Sequence, residues 1–342
     1  MKIIITLIIS ISLYAQYIQK GTEQYPITIE GQQGHEFFRG YSLDYGFFTS
    51  KHEFNPKKGI ELLKVAVSKN DVLAMFDMYE IHLKGIYGED VNKSKANKLL
   101  QKSIQGIEVL AKDGNLRAIA LLGYIHQKGL GNFKVNEEEA LKYYKKSAIG
   151  GNALAYYYRA TCYKYNNSCG VKKNITKTFE FYTSAQDKGL RLASRDMALM
   201  HYHSKETGIK FDETKMMDYL KKAEGEYISI TYLGHYYKWK KKYKKAYDYF
   251  VQAAEIGAKH SHRRLAQLFY FDDKFDIGTK DLKKAKYHFL EAKKRGLKEV
   301  DTYLAKLRTP TQKFYHELIN YKGLQNKEKI SQLNAEPIFS NH

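Results

Sequence analysis

The sequence contains few of the residues that disulfide-rich domains and membrane spans require. Its 342 residues include two cysteines, four prolines and one tryptophan. Two cysteines allow at most one disulfide, which excludes a scaffold that depends on many of them. After the N-terminal segment no apolar run approaches the roughly 18 residues that a membrane span needs. Acidic residues are the minority, 37 against 57 lysines and arginines, so the formal net charge is +20. Such a charge bears on which partners the protein binds and not on its fold.

The motifs of several enzyme classes are absent as well. No serine has a lysine three positions later, as the nucleophile of a serine β-lactamase does. The histidine pairs 201/203 and 260/262 have a spacing that points the two rings to different faces of a helix. Neither a His-Glu-x-x-His motif nor a phosphate-binding glycine loop occurs. The sequence therefore predicts no catalytic residue, no metal ligand and no cofactor.

A repeated pattern of residues runs through the chain instead. A turn residue marks each register, at Asn70, Gly114, Gly151, Gly189, Gly225, Gly257 and Gly296. A small residue follows four positions after the first six markers, at Ala74, Ala118, Ala155, Ala193, Ser229 and Ser261. An aromatic residue or histidine follows twelve positions after them, at His82, His126, Tyr163, His201, Tyr237 and Phe269. The markers are 32 to 44 residues apart, which is room for two helices and typical of a helical-repeat solenoid.

The residue types at these positions indicate packing rather than chemistry. Small and aromatic residues at spacings of three and four form one stripe on a helix, so that neighbouring helices can approach closely. Glycine at each marker suits the left-handed conformation that often ends a helix. We therefore interpret His82, His126 and His201 as packing residues of the repeat.

The pattern small-x-x-x-Leu-Gly-x-x-Tyr, followed by Lys-Ala-x-x-Tyr-Tyr-x-x-Ala, resembles the Sel-one-like repeat, a relative of the tetratricopeptide repeat. The resemblance covers residues 35–308. It implies an all-α fold, a right-handed α/α solenoid of about six to seven helix pairs. Two copies are irregular. The copy ending at Gly114 has a second helix that is longer by about two turns, and the copy ending at Gly257 has almost no turn between its helices.

The two ends of the sequence differ from the repeats. Residues 1–15 combine an early lysine, an apolar stretch and a final alanine, which predicts a bacterial secretory signal peptide and a periplasmic or secreted protein. Residues 16–34 are predicted to be a polar leader or linker. Residues 309–333 are predicted to form a helix that caps the last repeat, and residues 334–342 a disordered tail.

The two cysteines are seven positions apart. Cys162 lies near the end of a first helix and Cys169 in the turn that follows. In an exported protein such a pair predicts a disulfide that ties the turn to the helix. A Cys-rich branch of the family carries a disulfide across nearly every repeat boundary, and this chain lacks those cysteines.

The same resemblance implies that the first helix of each pair lines the concave side of the solenoid. Basic and aromatic side chains exposed there would suit an acidic peptide or a glycan. The predicted groove residues are Arg117, Tyr124, Lys128, Tyr157, Lys164, Arg195, His203, His235, Trp239, Arg263 and Tyr270. Lysines also surround the only tryptophan in residues 238–245, which form either a binding patch or a solvated corner between two helices.

These features predict an exported scaffold or adaptor without catalytic activity. It would act as a monomer and bind a protein or an anionic envelope polymer in the concave groove. Nucleic acid is not an expected partner, because export removes the chain from the compartment where nucleic acid is abundant. Two alternatives stay open: a β-lactam-binding or β-lactam-hydrolysing protein like the Cys-rich relatives, and a secreted factor that engages host surfaces.

Overall fold

The structure, a computed structural model, describes residues 21–39, 54–166, 168–270 and 281–307. These residues form two compact units. Unit 1 contains the chain up to Leu83 together with Asn92–Glu226, and unit 2 contains Lys84–Val91 and the chain from Tyr227 onward. The predicted signal peptide, C-terminal capping helix and tail lie outside the described residues.

Both units are built from α-helices. The helices of unit 1 are α1 Ile29–Arg39, α2 Pro56–Ser68, α3 Val72–Lys84, α4 Lys93–Lys112, α5 Leu116–Lys128, α6 Glu137–Ile149, α7 Ala153–Lys164, α8 Ile175–Asp187, α9 Arg191–Tyr202, α10 Ser204–Thr207 and α11 Glu213–Lys222. Those of unit 2 are α12 Tyr227–Trp239, α13 Tyr243–Glu255, α14 Lys259–Tyr270, α15 Leu282–Lys294 and α16 Asp301–Lys306, with a 3₁₀ turn at Lys298–Val300. No helix of the described residues is both long and apolar enough to cross a membrane.

The helices follow the predicted repeat. The first helices of the pairs are α1, α3, α5, α7, α9, α12 and α14, and the small residue of each register is fully buried where two helices meet, as Ala118 and Ser229 show. The marker glycines have φ between 85° and 99°, and Asn70 has φ 65°. The left-handed helix ends predicted from these residues are therefore confirmed.

The histidines of the repeat pack as predicted. His82 and His201 are buried. His126 stacks on Tyr143, with ring centroids 5.4 Å apart. His201 stacks on Tyr219 in the same way, at 6.0 Å.

A second regular feature was not part of the sequence prediction. The second helices begin with an Asn or Asp side chain that accepts a hydrogen bond from a backbone N–H three residues on, as Asn136 does from Glu139 at 3.0 Å. The backbone N–H of the same residue donates to the carbonyl oxygen of His126 in the preceding helix, at 2.9 Å. The residues that make both bonds are Asn55, Asn92, Asn136, Asn174 and Asp281, and Asp212 caps α11 with its side chain. Asn and Asp are strong N-cap residues, so their spacing was an available signal.

The predicted leader ends earlier than expected, because α1 begins at Ile29 rather than near residue 35. Gly34 and Gly59 allow α1 to pack tightly against α2. A Cβ atom on Gly34 would lie 2.9 Å from the carbonyl oxygen of Gly59, and one on Gly59 would lie 2.7 Å from that of Gly34. Such distances require glycine on both helices, so the two residues are packing positions.

The irregular copies are confirmed. Helix α4 has 20 residues, whereas the neighbouring second helices α2 and α6 have 13 each. Only three residues separate α12 from α13, and Lys241 in that turn has φ 58°. The single run of repeats predicted for residues 35–308 is divided into the two units at Glu226.

The predicted disulfide is confirmed. Cys162 and Cys169 are bonded, with Cα atoms 5.3 Å apart, and both are buried. The loop that they close is tied to the preceding repeat, because the N–H of Cys169 donates to Glu137 at 2.7 Å. The amide of Gln127 donates to the Cys169 sulfur at 3.4 Å and accepts from the Tyr144 hydroxyl at 3.0 Å. The disulfide thus fixes the turn after α7 against α5 and α6.

Replacement of both cysteines with alanine is expected to lower the free energy of unfolding by about 2–3 kcal/mol, the loop-closure value for so short a loop. Urea unfolding followed by circular dichroism would measure the change. Adding a reductant to the unchanged protein should give the same loss and should not affect the double variant. Equal stability of the two proteins would show that the contacts of the loop, not the bond, hold it in place.

Candidate functional site

Arg117 does not lie on an exposed surface, and its predicted place in an open groove is wrong. Its side chain is buried between α3 and α5, where it forms an ion pair with Asp77. It also donates to the carbonyl oxygen of Leu73 at 3.2 Å. Asp77 accepts a further hydrogen bond from His35 at 2.7 Å, and Arg39 lies 3.8 Å from its other oxygen. Arg117 stands just before Ala118, the small residue of its register, and in this copy both are buried.

These groups form the buried ion network of unit 1: His35, Arg39, Asp77, Glu80 and Arg117. Burial alone would raise the pKa of Asp77, but Arg117 and His35 hold it well below its usual range. Burial and the charge of Arg117 lower the pKa of His35 to about 4, so its ring is neutral at pH 7 and donates to Asp77. Arg39 pairs with Glu80. Within the network, Asp77 pairs with Arg117 and Glu80 pairs with Arg39, so each arginine has a carboxylate partner.

Arg195 is the second groove residue that is buried rather than exposed. Its Nε donates to Asp196 at 2.7 Å, and its two terminal nitrogens reach Glu226 at 3.3 Å and the Tyr157 hydroxyl at 3.0 Å. The hydroxyls of Tyr157 and Tyr182 both donate to Asp196 at 3.1 Å. Asp196 keeps a lowered pKa in spite of burial, because Arg195 lies beside it. In this network too, the arginine is paired with carboxylates, those of Asp196 and Glu226.

The other predicted groove residues of unit 1 are dispersed. Tyr124 is half-buried and stacks on Tyr158, with centroids 5.2 Å apart. Lys128 is exposed. Lys164 lies 5.3 Å from the ring centroid of Tyr165, and His203 lies 3.3 Å from Glu206. Lys164 is also close enough to Asp196 to lower the pKa of that carboxyl, so its charge acts on the Arg195 network.

Unit 2 does bring basic groups together on its first helices. His235 and Lys238 lie on α12, and His260, Arg263 and Arg264 lie on α14. The Nε of Arg264 donates to the His235 ring at 3.4 Å, which joins the two helices. We call these five residues the cationic face. Sequence reasoning found His235 and Arg263 but missed the other three.

The electrostatics of the cationic face differ from those of unit 1. Burial, together with the charges of Arg264, Lys238, Arg263 and His260, lowers the pKa of His235 to about 3. The pKa of Lys238 is also lowered, first by burial and then by Arg264. Among these residues positive charges repel one another, so an anion bound there would relieve the repulsion.

Two arginines of this face could donate hydrogen bonds to a ligand. The Nε of Arg263 is buried and has no hydrogen-bond partner among the described residues. Arg264 donates to the ring of His235 at 3.4 Å and to the side-chain oxygen of Gln267 at 2.9 Å. Arginine in this setting is well suited to bind a carboxylate in a bidentate manner.

The face continues toward α16. Gln267 donates to the hydroxyl of Tyr303 at 3.5 Å. Tyr270, which was predicted in the groove, is half-buried against Phe289 and Tyr303. Trp239 lies at the far end of α12 and is 56% exposed.

The described part of the chain contains no group of three or more His, Cys, Asp or Glu side chains that could hold a metal ion.

The repeated helix pairs, with their left-handed glycines and close-packed small residues, define the class of this protein as an all-α helical-repeat solenoid. Comparison with known families is consistent with that class. The Sel1 repeat family matches residues 36–71, 72–106, 116–152, 153–190, 232–257 and 259–297, more than half of the sequence. The chain therefore belongs to the Sel1 repeat family, as its resemblance predicted.

One solved structure agrees on the fold, and two others are reported for comparison. The chain is similar to a Sel1 repeat protein from Oxalobacter formigenes, with a TM-score of 0.51 and 19% identity over 79% of this chain and 98% of that chain. An immunity protein from Pseudomonas aeruginosa has a TM-score of 0.43 and 20% identity over 64% of this chain and 82% of that one. A protective antigen from uropathogenic Escherichia coli has a TM-score of 0.37 and 17% identity, over 89% and 79% respectively. No curated protein matches significantly.

Proposed function

We propose that this protein is an exported, non-catalytic scaffold that binds an acidic segment of a protein partner on the cationic face of unit 2. Sel1 repeats commonly mediate protein–protein interaction, and their stacked first helices offer an extended surface for it. The periplasm, or the space beyond the cell, is the proposed location, in keeping with the signal peptide expected from the sequence.

The observation that carries this proposal is the contrast between the two units. Arg117 and Arg195 of unit 1 each contact a carboxylate, from Asp77 and Asp196, so their charges are already used. The charges that lower the pKa of His235 on the cationic face are all positive. An acidic segment would place carboxylates beside these cations and bind the two arginines by charge-assisted hydrogen bonds.

The test is the affinity of a short fluorescent poly-glutamate peptide for the full chain, measured by anisotropy. Replacing Arg263 and Arg264 with alanine is expected to weaken binding at least about 100-fold, because each charge-assisted bond contributes roughly 1.5–3 kcal/mol. Binding should also weaken as the salt concentration rises. Circular dichroism would verify that the variant keeps its helices.

The matched control replaces Lys145 and Lys146 with alanine. Both are exposed on the second helix α6, so this variant has the same change in net charge without touching the cationic face. It should bind the peptide with nearly unchanged affinity. Equal losses in the two variants would mean that net charge alone attracts the peptide, and the assignment of the site would be wrong.

A further inference from the structure

A second surface of unit 2 is distinct from the cationic face. It lies at the turn between α12 and α13 and consists of residues 239–245, which we call the basic corner. The corner contains Trp239, Tyr243 and five lysines, all of them exposed except the half-buried Tyr243. No Asp or Glu occurs between Tyr227 and Tyr247. The corner is thus an exposed cluster of lysines around the only tryptophan of the protein.

The backbone holds the corner in a tight, projecting turn. The N–H of Lys241 donates to the carbonyl of Lys238 at 3.0 Å, and that of Lys242 to the carbonyl of Tyr237 at 2.8 Å. Lys241 adopts the left-handed conformation that reverses the chain, with φ 58°. A turn of three residues between two helices leaves little room for a concavity, so its side chains project outward.

The side chains of the corner combine aromatic and cationic groups. The ammonium of Lys240 lies 4.5 Å from the ring centroid of Trp239 and 5.7 Å from that of Tyr236. The two rings are 6.0 Å apart. The amphipathic rings of Trp and Tyr prefer the interface between water and lipid. Lysine stems can extend beside them while their charges stay at the headgroups.

We propose that the basic corner docks on the surface of an anionic lipid bilayer, with Trp239 entering the headgroup region. Five exposed lysines supply the attraction to anionic headgroups, which rises with each lysine near the surface. A projecting corner with an exposed indole fits a bilayer better than an extended acidic segment, which needs a groove to contact it along its length. The proposal is independent of the partner assigned to the cationic face.

The test uses the fluorescence of Trp239, which is specific because the chain has no other tryptophan. The full chain is mixed with vesicles of phosphatidylcholine alone or of phosphatidylcholine with phosphatidylglycerol. With the anionic vesicles we expect a blue shift of the emission and protection from acrylamide quenching. Binding measured by co-sedimentation should decrease as salt is added. Neutral vesicles should give neither signal.

The decisive variant replaces Lys241, Lys242 and Lys244 with glutamate. These lysines make none of the ring contacts that set the emission of Trp239 in solution, so the probe is left intact. The partition coefficient for anionic vesicles should fall about 100-fold, because the loss of each of the three lysines lowers it roughly fivefold. The control makes the same charge change at Lys112, Lys145 and Lys146, which are exposed in unit 1, and should keep the blue shift.

Three outcomes would overturn the proposal. Binding without a change in the emission of Trp239 would place the contact elsewhere on the chain. Equal binding to neutral vesicles would exclude the lysines as its cause. A blue shift with soluble poly-glutamate but not with anionic vesicles would assign the corner to an acidic protein segment instead.

Discussion

Replacing Asp77 with alanine is expected to lower the free energy of unfolding by about 3–5 kcal/mol, the loss found when one member of a buried ion pair is removed. Asp77 is 1% exposed and is contacted by His35 and Arg117, with Arg39 close by. Without it the guanidinium of Arg117 would stay buried with no carboxylate beside it. Urea unfolding would measure the loss, and hydrogen exchange should assign it to α1, α3 and α5.

Two further variants separate charge from volume. Asp77→Asn keeps the shape of the side chain but not its charge, so it should lose a large part of the same stability. Asp218→Ala removes an exposed ion pair, with Lys222 at 3.0 Å, and should cost no more than about 1 kcal/mol. If Asp77→Asn proved as stable as the unchanged protein, the network would act through packing and not through ion pairing.

The helix pairs could be predicted from the sequence because each depends on local rules. A small residue such as Ala155 is needed where two helices meet, and a marker such as Gly257 is needed for a left-handed helix end. Both recur at fixed positions, so they are visible without knowledge of the fold. The same regularity identified His126 and His201 as packing residues, and it also located the long helix α4.

The buried networks could not be predicted in that way. Asp77 is 40 residues from Arg117 in the sequence and 42 from His35. Repeat spacing shows that these residues lie on neighbouring first helices, but not which of them face each other. One signal was available: Asp77 and Glu80 interrupt the apolar helix α3, and buried carboxylates need cationic partners.

The candidate site was predictable only in part for a related reason. The groove prediction treated every first helix as equivalent. In unit 1, however, carboxylates pair with Arg117 and Arg195, whereas on the cationic face neighbouring cations lower the pKa of His235. Repeats that share a backbone can therefore differ in the charge that they present. That charge depends on pairs of residues in different repeats, which a pattern within one repeat does not show.

Acidification from pH 6.5 to 4.5 is expected to lower the free energy of unfolding of unit 2 by about 3–5 kcal/mol through one pair of histidines. His262 and His288 are within hydrogen-bond distance, with their Nδ1 atoms 3.1 Å apart. Burial lowers the pKa of each to about 3, assisted by Arg295 at His262 and by His262 and Lys284 at His288, while Glu291 opposes the shift at His288. Both rings are therefore neutral in the fold.

The direction of the effect follows from proton binding. Unfolded histidine has a pKa near 6.5, so below that pH the unfolded chain takes up protons that the folded pair does not. The stability is fully present above pH 6.5 and is lost as the pH falls toward the folded pKa values near 3. Each histidine that stays neutral in the folded protein lowers the free energy of unfolding by about 1.4 kcal/mol for every pH unit of acidification over this range.

The variant that tests this removes one proton-binding group. His288→Phe keeps an aromatic ring against Phe269, whose ring is nearly parallel at 5.8 Å, but it cannot be protonated. Its stability should fall less steeply with acid, by about 1.4 kcal/mol per pH unit. Tyr287→Phe, at the neighbouring position, retains His288 and should keep the steeper slope. If both variants lost stability with acid at the same rate, His288 would already be protonated in the folded protein, and the neutral pair inferred from its burial would be wrong.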